Sequence, residues 1–215
     1  EDLPGVERSV AGAGPRLALT FDACDARGYD AELVAWLRSE GVRATLFVSG
    51  RFARRHPDVV SLLAEEPLFE LGNHGYDHRP CAVRGERAFG IPGSRSLAEA
   101  AAEIERASDL LRSLGARQPR FYRSGTAHYD DVCLGLARGL GYRIAGFRVA
   151  GDLGAGLSRA GVRQALEGAP DGAIVLLHMN RPEGQTFEGL RDALPALRAR
   201  GVELVRLGDG APPAP

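Results

Sequence analysis

The sequence contains no lysine, so all 27 of its basic residues are arginines. This absence excludes lysine as a nucleophile, a Schiff base or a general base in any mechanism. The 28 acidic residues almost balance the arginines and leave a formal net charge of −1, so no overall field attracts nucleic acid or an anionic membrane surface. Apolar runs approaching the roughly 20 residues of a membrane-spanning helix are also absent. We therefore expect neither a nucleic-acid partner nor a membrane span.

Cysteine is scarce, with three residues at positions 24, 81 and 133. An odd count excludes a complete disulfide framework but allows one bridge and one free thiol, which leaves the redox compartment open. Residues 1–15 lack the charged-then-apolar order of a signal peptide. The chain ends in a proline-rich stretch from Gly210, and residues 211–215 are predicted to be a disordered tail because such segments bury too little apolar surface to fold.

Short apolar segments alternate with amphipathic helical patterns along the rest of the chain. The helical patterns include residues 30–40, a segment opened by His56, and a long helix from the Ser96/Glu99 capping box to Gly115. The predicted strands are residues 17–21, 44–48, 68–73, 120–123, 142–149, 173–177 and 202–207. Such alternation predicts an α/β fold with a mainly parallel sheet, either closed into a barrel or open. With 44% hydrophobic residues, we expect one catalytic-size domain over residues 1–215.

Five polar residues stand at or just past the carboxyl ends of predicted strands. They are Asp22, His74, Arg123, Asp152 and His178. Taken singly, each has an ordinary structural explanation, such as a helix cap, a surface ion pair or a buried histidine. The carboxyl ends of parallel strands gather at one edge of a sheet, where α/β proteins place their reacting groups. Their shared location therefore favours one functional site.

The segment His74-Gly75-Tyr76-Asp77-His78 predicts a metal site. Two histidines four residues apart are expected on one side of a helical turn, where both reach the same ion. With Asp25 as a third ligand, the set has the size of a catalytic zinc site that keeps one position open. We therefore expect a divalent metal, Zn in the first place, although Co or Ni binds similar ligands.

The remaining groups predict acid–base chemistry around that metal. Asp22 is the candidate general base, and Arg123 is its candidate partner, which orients it and keeps it ionised. His178 follows the buried apolar run 173–177 and is the candidate general acid. Asp152 is expected to fix the tautomer of His178 and to raise its pKa.

Taken in order, Thr20-Phe21-Asp22, His74-x-x-x-His78, Arg123, Asp152 and Leu176-Leu177-His178 resemble the motifs of the polysaccharide deacetylase family, carbohydrate esterase family 4. The resemblance spans about residues 17–207. It implies a distorted, often incomplete (β/α) barrel and metal-dependent removal of N-acetyl groups from sugars. It also implies a periplasmic or secreted location. In the site it implies that Asp22 is the base with Arg123 as its partner, and that His178 is the acid with Asp152 as its partner. His74 and His78 are then metal ligands.

The sequence departs from this family's pattern at three places. Ala23 stands where the family has a ligand Asp, so either Asp25 takes over through a different path of the loop or the metal has two protein ligands. Ser124-Gly125 replaces the Pro and aromatic residue that follow the family's arginine, and this affects the amide that helps to hold the oxyanion. Leu153 stands where a Trp is frequent, so an aromatic platform for a polymer is not evident.

The leading hypothesis is a metal-dependent hydrolase that removes N-acetyl groups from a carbohydrate. Two alternatives stay open: a hydrolase of a small non-sugar amide or imide, and a non-catalytic carbohydrate-binding relative. The long segment 79–95 is predicted to form one wall of the substrate cleft, with Arg84 or Arg87 facing a polar substrate. A disulfide between Cys24 and Cys81 is our guess for the bridge, because both lie close to the site in the sequence.

Overall fold

A curled, mainly parallel sheet forms the centre of the molecule in the computed structural model, which describes residues 3–12, 14–25 and 28–209. The strands are β1 (Val6–Glu7), β2 (Arg16–Ala23), β3 (Ala44–Val48), β4 (Phe69–Asn73), β5 (Arg87–Ala88), β6 (Ile91–Pro92), β7 (Phe121–Tyr122), β8 (Arg143–Ala145), β9 (Val149–Ala150), β10 (Ile174–His178) and β11 (Glu203–Val205). The helices are α1 (Ala31–Ser39), α2 (Gly50–Arg55), α3 (Pro57–Glu65), α4 (Leu97–Ser113), α5 (Asp131–Gly139), α6 (Arg159–Glu167) and α7 (Thr186–Ala199). The predicted tail, residues 211–215, lies outside the described residues.

The large sheet has the strand order β1-β8-β7-β4-β3-β2-β10-β9, and β11 pairs with the first residues of β2. All of its ladders between the named strands are parallel. An isolated antiparallel bridge between Ser9 and Ala173 links the segment after β1 to the residue before β10. The sheet therefore forms a half-barrel with helices around it, and the predicted fold class is confirmed.

The central strands are buried along almost their whole length, as parallel strands covered by helices require. Seven of the eight residues of β2 are buried, and so are all five of β3 and four of the five of β10. Helices begin at short polar caps, for example Asp30 before α1 and Ser96 before α4, whose side chains accept from backbone N–H groups. Among the described residues, we find no helix with the length and apolar character to cross a bilayer.

One predicted strand, residues 142–149, is wrong as a continuous element. It divides into β8, which pairs with β7 and β1, and β9, which pairs with β10. Between them the chain changes neighbours: Gly146 N–H donates to the Glu7 carbonyl at 2.7 Å, and Arg148 N–H donates to the Ile174 carbonyl at 2.8 Å. The two ends of the predicted strand thus satisfy their backbone groups against opposite sides of the half-barrel.

Candidate active site

The five polar residues predicted at strand ends all lie at the carboxyl edge of the sheet. Asp22 is the penultimate residue of β2, and His178 is the last residue of β10. His74 directly follows β4, Arg123 directly follows β7, and Asp152 lies two residues after β9. The structure therefore brings together the groups that the sequence places at separate positions along the chain.

Asp22 and His178 are direct neighbours on adjacent strands. In the parallel ladder of β2 with β10, Asp22 is the register partner of His178. One ligand atom each from Asp22, Cys24 and His178 lie within 4.8 Å of one another. A carboxylate and an imidazole therefore face the same small volume, held by main-chain hydrogen bonds.

Asp22 forms a buried ion pair with Arg123. The Nη1 group of Arg123 donates to Oδ1 of Asp22 at 2.8 Å and to the hydroxyl of Thr20 at 2.9 Å, while its other nitrogens donate to the carbonyls of Ala145 and Gly146. Arg123 is fully buried and Asp22 is only 3% exposed. Burial alone would raise the pKa of Asp22, but the charges of Arg123 and then His74 outweigh it and lower that pKa. The carboxylate is therefore ionised and able to accept a proton.

His178 has its own carboxylate partner. Its Nδ1 lies 2.9 Å from Oδ1 of the fully buried Asp152, whose Oδ2 accepts from the backbone N–H of His178 and from the hydroxyl of Thr186. Burial would lower the pKa of His178, but the hydrogen bond and the charge of Asp152 raise it above the usual value. Nδ1–H donates its hydrogen bond to Asp152, so Nε2 is the ring nitrogen that gains and loses a proton on the side of the site.

His74 is held in one tautomer by a backbone carbonyl. Its Nδ1 lies 2.9 Å from the carbonyl oxygen of Arg123, which only accepts, so Nδ1 carries the hydrogen. Burial lowers the pKa of His74 and keeps the ring neutral. The lone pair of Nε2 then points toward Oδ2 of Asp22 at 3.5 Å and Sγ of Cys24 at 3.7 Å. This is the arrangement that metal-binding histidines adopt.

The two histidines approach each other through a loop. The prediction that they share a helical turn is wrong, because residues 74–78 are not helical and both Gly75 (φ 73°) and His78 (φ 60°) are left-handed. The ring centroids of His74 and His78 nevertheless lie 4.8 Å apart. Burial, with the charge of His74 next, lowers the pKa of His78 to about 3. Its Nε2 is buried and has no hydrogen-bond partner among the described residues.

Glu103, which the sequence analysis did not single out, holds this loop. Its Oε1 accepts the backbone N–H groups of Asp77 at 2.7 Å and Arg79 at 3.2 Å, and its own carbonyl accepts the N–H of Tyr76 at 2.9 Å. Glu103 is only 7% exposed in the middle of α4. The only sequence signal is a charged residue at a core-facing position of a helix, which points to a polar partner and does not identify it.

The structure separates Asp25 from the histidine pair. Oδ1 of Asp25 accepts from Asn180 Nδ2 at 3.0 Å, and its Oδ2 lies 3.9 Å from Arg181. Among the described residues, Asp25 belongs to neither group of ligand atoms that lie within 4.8 Å of one another. Cys24 belongs to both, one of them with His74 and His78. Asp25 is thus outside these two groups, and its role as a metal ligand stays a prediction.

The guessed disulfide between Cys24 and Cys81 is wrong. Cys81 pairs with Cys133, and Cys24 is free. The sequence could not distinguish the pairs, because the position of Cys133 beside Cys81 depends on two contacts between distant segments. Tyr129 pairs with Cys81 in an isolated parallel bridge, and Asp130 caps α5, which contains Cys133. The bridge closes a loop with a sequence separation of 52 residues, and the chain-entropy model assigns such a loop about 4 kcal/mol of stability.

The segment 79–95 is anchored to the rest of the molecule. It contains the antiparallel hairpin of β5 and β6. Arg84 pairs with Asp131 at 2.9 Å on the surface, and Arg87 donates to the carbonyl of Gly90 within the hairpin. Contact of either arginine with a substrate stays a prediction. Phe89 at the tip is 89% exposed.

The two other departures from the family motifs are visible at the rim of the site. The N–H of Ser124 donates to the hydroxyl of Tyr129 at 3.0 Å, and the N–H of Gly125 donates to the carbonyl of Arg79 at 3.1 Å. Both amides thus already have hydrogen-bond partners in the protein, one within the loop and one in the segment 79–95. Leu153, directly after Asp152, is 64% exposed and presents an aliphatic surface beside the site.

A half-barrel of parallel strands with paired carboxylate, arginine and histidine groups at its carboxyl edge defines an α/β protein of the incomplete-barrel class. A family model described as polysaccharide deacetylase matches residues 10–145. The chain belongs to the polysaccharide deacetylase family.

Named relatives agree with this assignment. The chain is 26% identical over 195 residues to a peptidoglycan-N-acetylglucosamine deacetylase of Bacillus cereus, covering 89% of this chain and 66% of that protein. It is 27% identical over 182 residues to a chitooligosaccharide deacetylase of Azorhizobium caulinodans, covering 78% and 81%.

Solved structures share the fold. PdaA of Bacillus subtilis, a family 4 carbohydrate esterase, superposes with a TM-score of 0.81 and 20% identity over 96% of this chain and 84% of that one. A family 4 pseudoenzyme from Bacillus anthracis superposes with a TM-score of 0.80 and 17% identity over 97% and 69%.

Proposed function

We propose that the protein is a metal-dependent hydrolase that removes N-acetyl groups from a carbohydrate. The observation that carries the proposal is that Asp22 and His178 are register partners on adjacent strands. Asp22 is held by the buried Arg123, and His178 is held by the buried Asp152. Two titratable groups whose pKa values are moved apart at one site are the basis of acid–base catalysis. Family membership supports carbohydrate deacetylation as the reaction.

The site fits a divalent metal ion. His74 offers a lone pair on Nε2, and Nε2 of His78 is buried without a partner among the described residues, so a bound ion would give the His78 nitrogen the partner that it lacks. Neutral imidazoles suit Zn, which we propose, as well as Co or Ni. When bound, such an ion polarises an amide carbonyl and lowers the pKa of its water.

In this mechanism the protein's residues hold and move protons. Asp22 accepts the proton of the attacking water, and Arg123 keeps the carboxylate ionised and fixed in orientation. His178 donates a proton from Nε2 to the departing nitrogen, and Asp152 stabilises the imidazolium before that transfer. His74 and His78 would hold the metal through Nε2.

The substrate that we propose is an N-acetylated sugar, as the names of the two enzyme relatives state for those proteins. A location in the periplasm or outside the cell is proposed with it. The Cys81–Cys133 disulfide supports that location, because disulfides persist in oxidising compartments and are rare in the cytosol.

Acetate release tests the proposal. Chelated protein reloaded with Zn, Co or Ni is expected to release acetate from chitooligosaccharides or peptidoglycan fragments, and the chelated protein is not. Release from simple amides alone would favour the alternative of a small non-sugar amide substrate. The exposed aliphatic Leu153, in place of an aromatic residue that could stack on a sugar, agrees with that alternative. Metal binding without any release would favour a non-catalytic relative.

The charge of Asp152 is expected to set the alkaline limit of activity. Asp152 raises the pKa of His178, so the acid form needed for catalysis persists to higher pH and is lost as pH rises through that pKa. Asp152→Asn removes the charge, lowers the pKa of His178 and should move the alkaline limb of kcat/KM to lower pH. An unchanged alkaline limb would mean that His178 is not the acid. Asp192→Asn, at a carboxylate paired with Arg159 on the surface, is the control and should leave the profile in place.

A further inference from the structure

We propose that Cys24 is the third protein ligand of the metal, so that a thiolate stands with His74 and His78 where the family has a carboxylate. This inference deepens the proposed function, since it concerns the same site. It names the third protein ligand, which neither the family motifs nor Asp25 provides in this structure.

The distances fit a single ion. Sγ of Cys24 lies 3.7 Å from Nε2 of His74, and ligand atoms of Cys24, His74 and His78 all lie within 4.8 Å of one another. A zinc ion with bonds of about 2.3 Å to sulfur and about 2.1 Å to nitrogen at a tetrahedral angle separates the two ligand atoms by about 3.6 Å. Small side-chain adjustments therefore suffice.

A second observation, independent of the cysteine, points to the same volume. Nε2 of His78 is buried and has no hydrogen-bond partner among the described residues. A buried polar atom without a partner is costly, and a bound ion removes that cost. His78 also has the left-handed φ of 60°, which a non-glycine residue rarely adopts and which is common at functional sites.

The backbone fixes Cys24 in this position. β2 ends at Ala23, whose carbonyl accepts the N–H of Ser49 at 3.2 Å, and the carbonyl of Cys24 accepts the hydroxyl of Ser49 at 2.8 Å. The chain then turns, and Asp25 bonds Asn180 instead. The residue after Ala23 thus faces the histidines, and the next one does not.

A thiolate changes which metals the site prefers. One sulfur and two imidazole nitrogens select Zn or Co and disfavour Mg, Ca and Mn, which prefer oxygen ligands. Three protein ligands leave one tetrahedral position open. Binding also displaces the thiol proton, because the ligand is the deprotonated sulfur.

Co²⁺ binding tests the assignment through absorption spectra. Cys81 and Cys133 are joined in a disulfide, so Cys24 is the one thiol in the chain that can produce a thiolate-to-cobalt charge-transfer band. Wild-type protein loaded with Co²⁺ is expected to show this band in the near ultraviolet. Cys24→Ser should lose this band. Its Co²⁺ affinity should fall by more than roughly 10–100-fold, which is the loss typical when a residue behind the ligands is removed. Asp25→Asn, the matched control, should keep the band and near wild-type affinity.

The result that would overturn the proposal is Co²⁺ bound without the band in wild-type protein, or affinity that falls in Asp25→Asn and not in Cys24→Ser. If Cys24→Ser does not fold by circular dichroism, protection of the wild-type thiol from alkylation by stoichiometric Zn²⁺ decides the question, and an unprotected thiol rejects the ligand role. Acetate release separates the two proposals. A charge-transfer band without hydrolysis supports Cys24 as a ligand and refutes the deacetylase. Hydrolysis without the band supports the deacetylase and rejects Cys24 as a ligand.

Discussion

Asp22→Asn is expected to lower kcat for acetate release by roughly 10²–10⁴-fold, the contribution typical of a positioned general base. Asparagine has the shape of aspartate and keeps an oxygen that can accept from Arg123, but its amide cannot take a proton from water. Metal binding should persist, because the proposed ligands His74, His78 and Cys24 are unchanged. The measurement is kcat in steady state, with the metal content determined on the same sample.

The matched control is Asp25→Asn, which makes the same chemical change three residues away at a carboxylate that bonds Asn180. It is expected to retain kcat within a few-fold. Since Asp22→Asn also leaves the buried Arg123 charge without its partner, the rates are compared per folded molecule after a melting curve. Undiminished kcat in Asp22→Asn would reject the role of Asp22 as base.

Arg123→Met is expected to lower the free energy of unfolding by roughly 3–5 kcal/mol, the range found when one partner of a buried ion pair is removed. Arg123 is fully buried and donates to Asp22, Thr20 and two backbone carbonyls, and methionine replaces none of these bonds. Urea denaturation at neutral pH measures the effect. Arg112→Met, at an arginine whose side chain is 58% exposed and pairs with Asp109, should cost less than about 1 kcal/mol.

The pH dependence of stability distinguishes this explanation from simple loss of packing. In the wild type the pKa of Asp22 is lowered, so its contribution is present above the unfolded pKa and is lost as pH falls. Without Arg123, burial dominates and raises the pKa of Asp22 above the unfolded value. The stability lost in Arg123→Met should therefore be partly recovered as pH falls through that raised pKa. A difference in stability from wild type that does not change with pH would contradict the ion-pair explanation. In the double variant Arg123→Met/Asp22→Asn, the loss in free energy of unfolding should be smaller than the sum of the losses in the two single variants.

Much of the fold follows from residue patterns. β3 has the predicted bounds 44–48, and α4 begins after the predicted Ser96 cap, because continuous burial and local capping leave clear signals in the sequence. The shared edge of Asp22, Arg123, Asp152 and His178 was also predictable, since parallel strands align their carboxyl ends. The pairings of Asp22 with Arg123 and of His178 with Asp152 are present in the structure, while their catalytic roles remain predictions.

The remainder depends on contacts between distant segments. The spacing of His74 and His78 fits a helix equally well, and only the left-handed Gly75 and His78 with the support of Glu103 produce the loop. Nothing in the sequence shows that the chain turns between Cys24 and Asp25, because that turn depends on Ser49 and Asn180 from other elements. The position of Cys133 beside Cys81 has the same kind of origin.

The register of β2 with β10 has a consequence for how the family could diversify. Asp22 and His178 lie opposite each other on the buried ladder of β2 with β10, so main-chain hydrogen bonds fix their spacing. Exchanges in the hairpin of β5 and β6, which contains none of the proposed catalytic or metal-binding residues, are expected to leave that spacing unaltered. We therefore expect that grafting this hairpin from a relative changes access to the site while the Asp22–His178 pair is preserved.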